Sequence, residues 1–223
     1  MLNPSPELVM RDFESLGFNC EFGLVQRHFG AEALGLLRWG HVQPGFETLL
    51  SMLEHRFEGI GEHIRLDIIN GEWVSLDLKY KIVFHTDQRA GMVDEHRLVT
   101  TEKRRMRYMA ESLLDLMVEG ETIFVYKAEG SFGLSDARRL LTAIRAFGGS
   151  CLLWVCTTEN ADRVGCVEEH GDGLMQGYID RFSPTENIYA HCSFQIWLAI
   201  CQRARILKLD AKPLISPKTP VEF

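Results

Sequence analysis

Cys20 is the residue whose surroundings best suit it to chemistry. It closes the segment Ser15-Leu16-Gly17-Phe18-Asn19-Cys20 and opens a helix predicted over 20–29, where Phe22, Val25, Gln26 and Phe29 recur at helical spacing. Unpaired N–H groups and the helix dipole at such a place favour thiolate over thiol, and they offer donors to an oxyanion. A thiol nucleophile gains from a base, and two histidines compete for that role. His85 ends an alternating strand, and Asp87 lies two residues on, where an extended chain points both side chains the same way. Cys20, His85 and Asp87 would then supply nucleophile, base and orienter in one cleft. His191 stands beside Cys192 near the last helix, downstream of Asp180. The plainer alternative for each is structural: a small residue packed under a turn, an exposed loop histidine, a packed or capping histidine.

Three further groups have minority functional readings. The loop Ala128–Ser135 joins a strand to a helix through Gly130 and Gly133, as phosphate-cradling loops do. Its spacing is neither the dinucleotide fingerprint nor a Walker A loop, and a turn with Ser135 as helix cap explains it. Lys103, Arg104, Arg105 and Arg107 crowd the start of a helix, as a solvated face or as an anion- or partner-docking surface. Cys166, Glu168, Glu169, His170 and Asp172 lack a recognised metal-ligand spacing and fall in a Gly-rich loop. The sequence therefore calls for no metal and no cofactor.

The elements that must position these residues follow from periodicity. Leu8–Leu16 reads as a first strand, and Leu34–Trp39 as a short apolar run, strand-like or buried. Phe46–Phe57 is an amphipathic helix. Asn70-Gly71 between the alternating segments Ile64–Ile69 and Trp73–Phe84 signals a β-hairpin. Thr101–Met117 is helical. Then Thr122–Ala128, Ser135–Phe147 and Cys151–Thr157 make a strand-helix-strand unit whose short connections require a right-handed parallel crossover. Ser183, Pro184 and Glu186 fit a capping box for the last helix, with Ser193 as a second possible start. The expectation is one α/β domain over 8–210, with a partly parallel sheet, flanking helices and an inserted β-hairpin. A flexible N-terminus (1–7) precedes it, and a tail (211–223) with Pro213, Pro217 and Pro220 follows.

The segment from Glu14 to Gly23 resembles the S-L-G-x-x-C opening motif of a bacterial family of unknown function, classed as papain-like cysteine peptidases. Ile82-Val83-Phe84-His85-Thr86-Asp87 is similar to that family's strand ending in a His near an acidic residue. Glu102-Lys103-Arg104-Arg105, leading to Ile123-Phe124-Val125, is similar to its basic helix and following strand. The resemblance implies a cysteine-based hydrolase or acyl transferase acting on a peptide, acyl or glycan conjugate. It also implies papain-like α+β as the alternative fold. Two departures stand out. No Gln precedes Cys20 to build an oxyanion hole, and 122–157 reads as a parallel unit foreign to papain. The chain order of nucleophile after the first strand and His191 before the last helix also resembles SGNH-type esterases, although Ile188 stands where those carry Asp.

Composition narrows the classes. The chain has 223 residues, 46% hydrophobic and 25% charged, enough to bury a core. Lys and Arg total 24 against 31 Asp and Glu, a net charge of -7, which disfavours nonspecific nucleic-acid or anionic-membrane binding. The six cysteines form no C-x-x-C pair. The N-terminal stretch has neither a basic nor an apolar signal region, and no apolar run approaches the ~20 residues that cross a bilayer. A reduced cytoplasmic protein without structural disulfides is expected. Three functions remain open: a thiol hydrolase built on Cys20, a noncatalytic partner-binding module, and a carbohydrate- or nucleotide-processing α/β enzyme using the Gly130 loop.

Overall fold

The computed structural model describes residues 4–17, 19–32, 35–39, 41–42, 45–184 and 187–211. Ser5 accepts a hydrogen bond from the Leu8 amide and Pro6 fills the first turn, which starts helix α1 (Pro6–Met10). Strand β1 (Phe13–Ser15), helix α2 (Glu21–His28) and strand β2 (His41–Val42) follow. Helix α3 (Phe46–Glu54) buries Leu49, Leu50, Met52 and Leu53. Strands β3 (Ile64–Ile69), β4 (Glu72–Asp77) and β5 (Ile82–Arg89) form a meander in which β4 pairs antiparallel with both neighbours. Helix α4 (Glu95–Glu119) is capped by Asp94, whose carboxylate accepts from the Arg97 amide at 2.8 Å, and it stops at Gly120 with φ 72°. Then come β6 (Ile123–Lys127), α5 (Leu134–Arg145), β7 (Cys151–Thr157), β8 (Val167–Glu169), β9 (Leu174–Ile179), α6 (Ile188–His191) and α7 (Phe194–Ala211).

Five strands make the main sheet in the order β1-β6-β7-β9-β8, and four make a second sheet in the order β2-β5-β4-β3. In the main sheet β1, β6, β7 and β9 are parallel, while β8 is an antiparallel edge. Phe124, Tyr126, Leu152, Trp154 and Leu174 pack with residues of α3, α4, α5 and the second sheet. Their neighbours Ile123, Val125, Leu153, Val155, Met175 and Ile179 pack with α1, α2 and α7 on the opposite face. Burial on both faces explains why these strands are continuous apolar runs rather than alternating ones. The molecule is thus the expected single α/β domain, and the parallel crossover is present, with Ile123 opposite Cys151 and Lys127 opposite Val155.

Several local expectations are corrected. The stretch 8–16 is not one strand: Arg11 and Asp12 fall in the turn between α1 and β1, where Arg205 of α7 pairs with Asp12 at 2.5 Å. Glu14 of β1 is buried, and burial pushes its carboxyl up to about 7 while Arg38 pulls the other way. Trp73–Phe84 breaks into two strands at a turn where Asp77 accepts the Tyr80 amide at 2.7 Å and Lys81 adopts φ 57°. With β2 these strands form a full second sheet rather than an attached hairpin. Asn70 and Gly71 do make its tight turn, both with positive φ (51° and 80°). The Gly-rich segment after β7 is a hairpin, β8 with β9, not a loop.

Helix starts also differ. Gly133, not Ser135, caps α5, and Asp136 accepts the Gly133 amide at 3.1 Å. Ser183 and Pro184 lie in a loop, Asn187 caps α6, and α7 begins just after Ser193, the second start considered. Glu186 and the tail prolines lie outside the described residues. All six cysteines are free thiols, and among the described residues no helix is long and apolar enough to cross a membrane.

The turn from α5 to β7 presses on the end of α4. A Cβ on Gly148 would stand 2.4 Å from the Met117 carbonyl oxygen and 2.8 Å from that of Val118. Neither backbone atom can move without unwinding the helix end. Gly148→Ala is therefore expected to lower stability by about 1–3 kcal/mol, read as a lower urea midpoint at unchanged slope. An unchanged midpoint would show that the contact is loose.

Candidate functional site

The four parallel strands end on one side of the main sheet, where open α/β sheets bind ligands. The chain leaves β1 through a tight turn. Ser15 Oγ accepts the Gly17 amide at 3.2 Å, Gly17 takes φ 92°, and Asn19 Oδ1 accepts the Glu21 amide at 3.0 Å. Cys20 is thereby set as the N-cap residue of α2, with Glu21 in the first turn. Lys127 ends β6 and shares the sheet face of Ile123 and Val125, because side chains alternate along a strand. That parity aims its ammonium under α2.

Glu21 and Lys127 form a buried pair: Nζ lies 3.1 Å from Glu21 Oε2, and the lysine and glutamate side chains are 3% and 0% exposed respectively. Each group has further partners, as burial of charge demands. Trp197 Nε1 of α7 donates to Glu21 Oε1 at 3.1 Å, and the Ser183 amide donates to Oε2 at 3.2 Å. Glu129 approaches the ammonium at 2.9 Å, and the Phe182 ring lies 4.4 Å from it. Nearby, Ser193 donates to Asp180 at 2.8 Å, tying the end of β9 to the start of α7. Cys192 is half-buried, and burial, with Glu21 adding to it, pushes its thiol up to about 12.

Cys20 is half-buried, and the helix start does not activate it. Burial pushes its thiol above the ordinary value, Glu21 adds to the rise, and its own backbone amide and Lys127 oppose it. The expected lowering is thus reversed in direction.

The remaining candidates are dispersed. His85 and Asp87 sit on β5 of the second sheet, with His85 exposed. Its ring faces Glu72 across the hairpin, Nδ1 to Oε2 at 3.2 Å, rather than Asp87. Asp87 takes φ 57°, which breaks the extended geometry the pairing assumed, and its amide donates to the same Glu72 at 3.0 Å. No described hydrogen bond or ion pair joins either residue to Cys20. His191 ends α6, exposed and next in sequence to Cys192. The Gly130 loop contributes the Glu129 carboxylate to Lys127, which is not the work of a phosphate cradle. Of the basic run, Arg105 leans on Glu102 at 3.4 Å, and Arg104 and Arg107 are exposed. In 166–172, Glu168 is held by Arg163 and Tyr178, while His170 stacks on Trp154 and bonds Gln176 at 2.9 Å. Glu168 and His170 thus have structural partners.

Sequence reasoning missed Glu21, Lys127, Ser183 and Trp197. One signal was readable: a lysine closing Ile123-Phe124-Val125-Tyr126, a run otherwise too apolar for an exposed edge. His28 also went unnoticed; it stacks on Phe194 at 4.0 Å and meets the Tyr189 hydroxyl at 3.2 Å, fastening α2 to the C-terminal helices. No family model matches the chain, and no match is found among curated proteins or solved structures.

Two outcomes follow from this geometry. Lys127→Met would strand a buried carboxylate and is expected to cost about 3–5 kcal/mol in urea unfolding. Pairing it with Glu21→Gln should recover a large part of that loss, and a silent Lys127→Met would show that the pair anchors nothing. Separately, iodoacetamide alkylation of Cys20, followed by peptide mass mapping, should rise with pH through a midpoint above that of free cysteine. The raised pKa keeps the thiol protonated to higher pH, so a midpoint below free cysteine would contradict the buried setting.

Proposed function

We propose that the protein is a thiol-dependent hydrolase or acyl transferase of the reduced cytoplasm, with Cys20 as nucleophile at the carboxyl edge of the main sheet. One observation carries the reading. Cys20 occupies the strand-to-helix turn after β1, beside a buried, fully partnered ion pair. A buried pair is a weak source of net stability, because desolvation offsets much of the Coulomb attraction. Its position at the edge where such sheets bind ligands favours a functional use. Of the two histidines, His191 is the better base on placement. It adjoins Cys192, which shares the fields of Glu21 and Lys127 with Cys20, whereas His85 belongs to the second sheet and is engaged by Glu72.

In this mechanism the Cys20 sulfur attacks a carbonyl carbon of a peptide, acyl or glycan conjugate. The thiol proton passes to His191, which returns it to the leaving group as the old acyl bond breaks. Water, or an acceptor nucleophile, then takes the acyl group from sulfur and restores the thiol. Backbone N–H groups in the first turn of α2 face the developing negative charge, and Lys127 offsets part of the opposing field of Glu21.

The raised Cys20 pKa favours a second reading, a noncatalytic module that binds a partner at this edge. Incubation with activated ester, thioester and peptide probes separates the two. Intact and peptide mass should show an acyl adduct on Cys20 that Cys20→Ala abolishes. His191→Ala should slow its formation by about 100-fold or more, and His85→Ala should leave it unchanged. If no probe acylates Cys20, the binding module is the better description.

A further inference from the structure

The free edges of the two sheets are not equally protected. β1 is three residues long and wholly buried, and β8 is three residues long with two glutamates. Short, charged or covered strands are the usual defences against edge-to-edge pairing. β3 is longer and more regular. It runs six residues, Ile64–Ile69, without Pro, Lys or bulge, and holds an unbroken register with β4 from Ile64–Asp77 to Ile69–Glu72. Among the described residues no strand pairs its outer side. Ile68 and Ile69 are about half exposed, at 55% and 49%.

Which backbone groups point outward is fixed. The His63 carbonyl accepts the Leu78 amide, so odd-numbered residues of β3 bond to β4. Ile64, Leu66 and Ile68 therefore turn their N–H and C=O groups to the free side. Arg65 and Asp67 sit on either side of Leu66, both substantially exposed and paired with each other at 2.8 Å.

We propose that β3 is a homodimer interface, joining the β3 edges of two copies antiparallel about a two-fold axis at Leu66. In that register Leu66 faces its copy and Ile64 faces the partner's Ile68. All three are outward residues, so each pair exchanges both of its backbone hydrogen bonds. Arg65 of each chain then stands opposite the partner's Asp67. Sliding by one allowed step in either direction sets Arg65 against Arg65, or Asp67 against Asp67, which opposite positions on a sheet penalise. The charge pair selects both the register and the kind of partner: a second copy of this chain. The two four-stranded sheets become one continuous sheet.

Sedimentation velocity of the full chain tests the assignment. Wild type should be a dimer at micromolar concentration. Leu66→Pro removes an outward N–H that β4 does not use and should give a folded monomer, its fold checked by circular dichroism. Arg65→Asp and Asp67→Arg should each raise the dimer dissociation constant about 10-fold or more. An equimolar mixture of those two variants should restore dimer. One chain then carries negative side chains at both positions 65 and 67 and the other positive ones, so both cross-strand pairs become attractive. A wild type that stays monomeric at about 100 μM overturns the proposal. So does a mixture that associates no better than either variant alone.

Discussion

Much of this structure depends on one carboxylate that has no contact with water. Glu21 receives the Lys127 ammonium from β6, the Ser183 amide from the loop after β9 and the Trp197 indole from α7. Four separate parts of the chain are thus fastened at a single pair of oxygens. A buried charge tolerates no vacancy among its partners, so each must be held in place by its own element. The turn after β1 supplies the first constraint, and the alternation of β6 supplies the second. Trp197 is itself fully buried against Phe22, with ring centroids 5.3 Å apart, so the apolar packing of α2 on α7 and the polar network reinforce one another.

The behaviour of Cys20 is decided by the relative size of two opposing effects. A helix start stabilises a nearby negative charge by roughly 0.3–1 kcal/mol at exposed positions. Desolvation of an ionisable group reaches several pKa units when burial is complete. At a half-buried thiol with a carboxylate next to it, the second effect wins, even with Lys127 close by. The turn therefore holds a protonated thiol beside the Glu21–Lys127 pair.

The readable parts of the fold were those whose burial is one-dimensional along the sequence. β6 and β7 are covered on both faces and so stand out as apolar runs, and the helix between them carries a clean stripe. Asn70-Gly71 marked its turn because few residue pairs accept two successive positive φ values. β8 and β9 were hidden because their polar side chains find partners in space rather than in sequence: Tyr178 donates to Glu168, and Gln176 bonds Cys156 and His170. The stretch 8–16 splits into a helix and a strand because Arg11 and Asp12 form the turn that ends α1. The location of Cys20 was legible from its turn and helix. Its electrostatic setting was not: Lys127 stands out at the end of its apolar run, but Glu21 looks like ordinary solvated charge, and nothing in the sequence pairs the two before the sheet does.

The fastening at Glu21 also imposes an order on how the molecule can be made. Its partners Ser183 and Trp197 lie 162 and 176 residues further along the chain. During vectorial synthesis β1 and α2 emerge early, carrying an acidic side chain whose native surroundings do not yet exist. Contacts of such long sequence separation form late, because the chain between them must first be closed into a loop. The β6–α5–β7 unit, by contrast, contains its own short-range pairing and is free to form before the rest. The native surroundings of Glu21 are therefore complete only once α7 has left the ribosome.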